Sequence, residues 1–82
     1  MNLPAYRRLK GLSQERAATE LGLKSKGHLS NLEHGRAAFS LDLALRIEEW
    51  SGGQVAAVDL LPPDVAARFR DAVVRAAAGE VA

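Results

Sequence analysis

Apolar residues recur along this chain at spacings of three and four, and no run alternates apolar with polar as a half-buried strand would. The pattern predicts an all-helical fold. A first short helix is expected over residues 4–10, because proline suits a first helical position, with Tyr6 and Leu9 inward and Arg7, Arg8 and Lys10 reaching out. Gly11 ends it. A second starts at Ser13, whose hydroxyl can accept an orphan amide hydrogen, and sets Ala17, Ala18 and Leu21 on one face before Gly22 stops it. A third runs from Ser25 or Lys26 to about His34, with Leu29 and Leu32 inward and Gly35 as its stop. Ser40 caps a fourth, LDLALRIEEW, with Asp42 placed against the helix dipole and Leu43, Ile47 and Trp50 as a core stripe. QVAAVDLLPP reads as a short helical turn or an irregular segment, broken by Pro62 and Pro63. The last helix is expected over residues 64–78, with Val65, Phe69, Val73 and Ala76 as its apolar stripe.

Length and composition narrow the class. A chain of 82 residues predicts one domain, and 48% hydrophobic residues suffice for a small core. The absence of cysteine excludes a disulfide framework and a thiolate metal site. No apolar run approaches the ~20 residues of a membrane span. The segment MNLPAYRRLKG lacks the apolar stretch of a secretory signal, so a cytoplasmic location is expected. Net charge is only +1, but it is divided unevenly: residues 1–36 carry seven Lys/Arg against three Asp/Glu, and residues 37–82 carry four against seven. A basic half joined to an acidic half points to a polyanion-facing surface at one end.

Two short helices joined by a tight glycine-containing turn describe a helix-turn-helix, here Ser13–Leu21 and Ser25–His34 turning at GLK. Ala17 stands where two helices approach closely and a small side chain is needed. In this geometry the second helix of the pair enters the DNA major groove and the first abuts the backbone. The polar side of SKGHLSNLEHG then has a purpose. Lys26 can donate to guanine, Asn31 can pair bidentately with adenine, and Ser25, His28 and Ser30 are more permissive. Gly27 lets the helix approach closely, at a cost of ~1 kcal/mol of helix stability relative to alanine.

The stretch LKGLSQERAATELGLKSKGHLSNLEHGRAAFSLDLALRIEEWSGG resembles the Cro and phage-repressor type of helix-turn-helix regulator, over about residues 6–53. The resemblance implies a compact bundle of about five helices, a lambda-repressor-like DNA-binding domain. It implies a phosphate contact from Gln14, base reading from Ser25 to Asn31, and backbone contacts from a loop spanning Arg36 to Ser40. Ser13 and Lys24 join that backbone set. It also implies an Arg7–Glu33 salt bridge with a structural role. The turn is one residue longer than the family's common pattern, Lys24 being the extra residue, and Arg16 stands where an apolar residue is usual. Residues 1–53 are thus expected to form the DNA-binding core, and residues 54–82 a C-terminal turn and helix of the same domain.

Other chemistry finds little support. His28 and His34, at i and i+6, fall on opposite helix faces and do not suggest a metal site. Asp64, Asp71 and Glu80 read as solvated positions, and neither a nucleophile–base pair nor a phosphate loop is visible, so no enzyme and no cofactor are expected. Ala66, Ala67, Val74 and Ala77 give the last helix a second, small-residue face, and a helix apolar over more than one face often meets a partner. Homodimerisation is therefore expected through residues 60–78, Val65, Phe69, Val73 and Val74 among them. The sequence predicts a dimeric repressor that binds double-stranded DNA at an inverted repeat, autoregulation and a prophage setting being in keeping with the resemblance. The rival is an antitoxin, or an adaptor that binds a protein partner through its acidic C-terminal half.

Overall fold

The computed structural model describes residues 1–77 and 79, and there it contains six helices: α1 (Leu3–Leu9), α2 (Gln14–Glu20), α3 (Lys26–Glu33), α4 (Leu41–Trp50), α5 (Ala57–Leu60) and α6 (Pro63–Ala77). Residue 78, the expected end of the last helix, and Glu80 lie outside the described residues.

Each of the first four helices starts at a side-chain cap. Asn2 Oδ1 accepts from the Ala5 amide at 2.8 Å, and the hydroxyls of Ser13, Ser25 and Ser40 accept from the amides of Arg16, His28 and Leu43 at 3.1, 3.2 and 3.1 Å. The Asn2 cap moves α1 one residue earlier than the proline suggests, to Leu3. The helix also faces the core differently from that expectation. The inward face is Leu3, Tyr6 and Arg7, so Leu9 is 63% exposed rather than in the core, and Arg7 points inward rather than out.

The main core gathers Leu3 and Tyr6 of α1, Ala17, Ala18 and Leu21 around α2, Leu29 and Leu32 of α3, Leu43 and Ile47 of α4, and Val55. Val55, beyond the stretch that carries the resemblance, is fully buried in it. Trp50 sits at the rim rather than inside. Its ring meets Tyr6 edge-on at 5.2 Å, and its Nε1 donates to Glu20 Oε1 at 3.0 Å. That bond, and the Arg16 Nε bond to Glu20 Oε2 at 2.8 Å, hold the exposed Glu20 carboxyl below the usual carboxylate range.

A second, smaller core attaches the C-terminal segment to α4. Ala44, Ala57, Leu61 and Ala66 are buried together, with Leu60, Val65 and Phe69 against them. Short side chains let α4, α5 and α6 meet closely. The joint is tied by polar groups at the end of α4. Glu48 Oε1 accepts from the Ala57 amide at 3.0 Å, capping α5, and the buried Ser51 hydroxyl accepts from the Val55 amide at 3.0 Å. Ala66 is therefore the buried residue of α6, not part of an outer face. Val73 and Ala76 are exposed, because α6 runs past the end of the core it packs on.

Ala17 is completely buried in the main core. Ala17→Leu forces three extra carbons into that space and is expected to cost about 3 kcal/mol, lowering Tm by more than 10 °C in a domain of this size. A Tm equal to that of the wild type would mean that the site has room to spare.

Candidate functional site

The register of α3 is set from both ends. Ser25, as its N-cap, makes Lys26 the first helical residue. At the other end Gly35 takes φ 74°, a conformation that a side chain opposes, and two bonds close the helix. The Gly35 amide donates to Leu32 O at 3.3 Å and the Arg36 amide to Asn31 O at 2.8 Å. Leu29 and Leu32 are buried, which anchors one side of the helix. At about 100° per residue the opposite side carries Gly27, Ser30, Asn31 and His34, at i, i+3, i+4 and i+7. Gly27, Asn31 and His34 are exposed, and Ser30 is half-buried.

His34, which sequence reasoning weighed only as a metal ligand, belongs to this face. Its Nδ1 lies 2.8 Å from the Ser30 carbonyl oxygen and 3.3 Å from Ser30 Oγ. A carbonyl only accepts, so Nδ1 carries the hydrogen and Nε2 is the nitrogen presented to a partner. The i, i+4 relation to Ser30 was the available signal.

One carboxylate joins the first three helices. Glu33 of α3 accepts from Arg7 Nε at 3.0 Å and Arg7 Nη2 at 3.1 Å, a two-point bridge to α1. It accepts again from Gln14 Nε2 of α2 at 2.9 Å. The remaining end of Arg7, Nη1, donates to the Leu12 carbonyl at 3.2 Å, where α1 leads into α2. The side chains of Arg7 and Glu33 are 14% and 4% exposed, so the pair is largely withdrawn from water. Burial alone raises the Glu33 carboxyl, but the hydrogen bonds from Arg7 and Gln14 and the Arg7 charge outweigh it and hold the group below the usual carboxylate range. Gln14, expected at a phosphate, thus spends one amide hydrogen inside the fold and keeps the other.

A second tie holds the turn. Arg46 of α4 donates from Nη1 to the Leu21 carbonyl at the end of α2, at 2.9 Å, and from Nη2 to Asp42 Oδ2 at 2.8 Å. This role of Arg46 had no signal in the sequence, because its partner is a backbone oxygen 25 residues away.

The other expected contact residues group around this frame. Lys26 lines an open cleft of about 380 Å³ with Arg7, Ser13, Gln14 and Glu15, where α1, α2 and α3 converge. Lys24, His28, Arg36 and Ser40 are exposed. Among the described residues, Arg8, Lys24, Lys26 and Arg36 enter no ion pair, so their charge remains free for an outside partner. The hydroxyl oxygens of Ser13, Ser25 and Ser40 each accept one amide bond in a cap, and their hydrogens remain available to donate to such a partner. The residues named for dimerisation divide. Val65 and Phe69 are half-buried against the second core, whereas Val73 and Val74 are 51% and 64% exposed. With Val58 and Arg70, Phe69, Val73 and Val74 line an apolar groove of about 220 Å³. No helix among the described residues is long and apolar enough to cross a membrane.

Residues 5–49, more than half of the chain, match a protein-family model described as helix-turn-helix. Comparison with curated proteins and with solved structures returned no match.

Arg7→Ala leaves Glu33 with one donor and is expected to cost about 2 kcal/mol, less than the ~3–5 of fully enclosed pairs because Arg7 keeps some access to water. Thermal unfolding checks it, and an unchanged Tm would reject the bridge as a stabilising element. Because the folded state depresses the Glu33 pKa, its contribution is complete above the unfolded value of ~4.3 and fades as pH falls through the folded one. The Tm gap between wild type and Glu33→Gln should therefore be widest near neutral pH and shrink below about pH 4. A gap constant with pH would contradict this.

Proposed function

We propose a specific function on one premise: the chain belongs to the helix-turn-helix family, of the Cro and phage-repressor type, whose members are DNA-binding regulators. The chain represses transcription by occupying a promoter as a dimer, with α3 in the major groove of each half of an inverted repeat. The observation that carries this is the outward face of α3. It presents Ser30, Asn31 and His34 on one line, with Gly27 at its head, on a helix fixed by Leu29, Leu32 and the Arg7–Glu33–Gln14 network.

On this face Asn31 is the strongest base reader, since its amide can pair with both N6 and N7 of adenine. Ser30 and His34 read beside it, and His28 and Ser25 reach the flank. Lys26, expected among the base readers, takes a different role in this reading. Its place in the cleft beside Ser13 and Gln14 supports a contact to phosphate rather than to a base. Gln14 meets the same strand with its second amide hydrogen, and Ser13, Lys24, Arg36 and Ser40 complete the backbone set. Phosphate contacts of this kind position the protein, and base contacts specify the site.

Two copies join through α6. The exposed Val73 and Val74, continuous with Phe69, give it an apolar surface that its own core does not cover. A two-fold pairing there places two α3 helices on half-sites about one helical turn apart. The same groove supports the second reading, an antitoxin or adaptor that seats a protein partner on α6.

Asn31→Ala should lose ~1–3 kcal/mol at one base position per half-site, whereas Lys26→Ala should weaken all sequences alike and reduce the salt slope by about one. Binding titrations of the two variants on matched and mismatched duplexes decide this. A one-position loss from Lys26→Ala would return it to the base readers. Wild-type affinity should fall ~10³–10⁵-fold between about 50 and 200 mM salt if the dimer neutralises six to ten phosphates. Val73→Asp with Val74→Asp should yield a folded monomer in sedimentation. A dimer that persists would place the contact elsewhere.

A further inference from the structure

The chain has seven glycines, and six of them take positive φ, where a side chain is opposed by the backbone itself. Gly27 is the exception. It lies inside the first turn of α3 with ordinary helical geometry. It is exposed, and a Cβ built on it would meet only Ser25 Oγ, at 3.7 Å, an ordinary van der Waals distance. Nothing within the fold excludes a side chain here, and helix propensity favours almost any other residue. The position is nonetheless the head of the outward line Gly27, Ser30, Asn31 and His34. Neighbours on that line carry side chains on the side of α3 opposite the core, while at residue 27 the helix backbone itself is bare.

From this we infer that Gly27 is the point of closest approach between α3 and the duplex, a steric specificity position at which the partner occupies the volume of the missing side chain. The inference rests on the reading of α3 as the major-groove helix. The depth to which α3 enters the groove is limited by the bulk at residue 27. A side chain there lifts the N-terminal turn of α3 and draws Asn31, one turn further along the same face, out of reach of its base. The loss is then one of fit and leaves the fold intact, because residue 27 has free space on the protein side.

The test compares wild type, Gly27→Ala and Gly27→Val on a duplex recovered by the wild-type chain from random-sequence DNA, with Tm measured for each protein. Gly27→Ala should keep or raise Tm, since it removes a helix-weakening residue, yet bind that duplex at least 10-fold more weakly. Gly27→Val should bind at least 100-fold more weakly, the loss following side-chain volume. Wild-type affinity in Gly27→Ala, or an affinity loss accompanied by a matching fall in Tm, would overturn the inference. Recovery of no preferred duplex by the folded wild type would instead overturn the DNA-reading premise and this inference with it, an outcome visible before any variant is made.

Discussion

The Glu33 carboxylate is the constraint on which the rest of the site depends. It lies on α3, accepts twice from Arg7 of α1 and once from Gln14 of α2, and its side chain is almost wholly removed from water. In that position the charge is costly unless every partner is present. Three helices too short to be stable alone are thereby held to one mutual arrangement. The outward face of α3 inherits its direction from this. With Leu29 and Leu32 buried and Glu33 turned back to Arg7 and Gln14, Gly27, Ser30, Asn31 and His34 form the side of α3 opposite the core. Arg7 and Gln14 of the same network also line the cleft that Lys26 borders, so the cleft and the outward face of α3 are held by one set of bonds.

Around this centre the chain repeats a small set of devices. Polar caps begin α1 to α4, and Gly22 and Gly35 end the two helices of the motif with the chain already turned toward the next element. Arg46 adds a tie between α4 and the end of α2, so the turn between α2 and α3 is held from outside as well as by its own hydrogen bonds. The C-terminal segment is attached differently. It rests on alanines at the α4–α5–α6 junction and on the Glu48 and Ser51 bonds, and α6 then continues past the core. The molecule thus has a tightly cross-linked end built around α3 and a projecting amphipathic helix at the other.

Much of this was legible in the sequence because it is written in short-range signals. Serine caps, glycine stops and three–four spacing mark α2, α3 and α4 to within a residue or two. The buried partners Leu29, Leu32, Leu43 and Ile47 follow from the same spacing. The misreadings occur where a long-range contact overrides a local one. Leu9 looks like a core residue by spacing, but Arg7 is drawn inward and rotates α1 away from it. Ala66 looks like an outer small residue until α4 and α5 are packed against it. The role of Arg46 toward a backbone oxygen leaves no trace in residue types, and the Val55 contribution to the main core depends on where the SGG turn sends the chain. For the candidate site, the polar residue types of α3 could be read directly from the sequence. Which of them share the outward line, and that Lys26 turns toward the α1–α2 cleft, needed the helix register and the neighbouring elements.

The most direct test of the account is selection of duplexes from random-sequence DNA by the purified chain, repeated with Asn31→Ala. The account predicts an enriched inverted repeat whose half-sites lie about one helical turn apart, with preference lost at one position per half-site in the variant. Recovery of no enriched sequence by a folded protein, or the same repeat unchanged with Asn31→Ala, would contradict the claim that this face of α3 reads DNA.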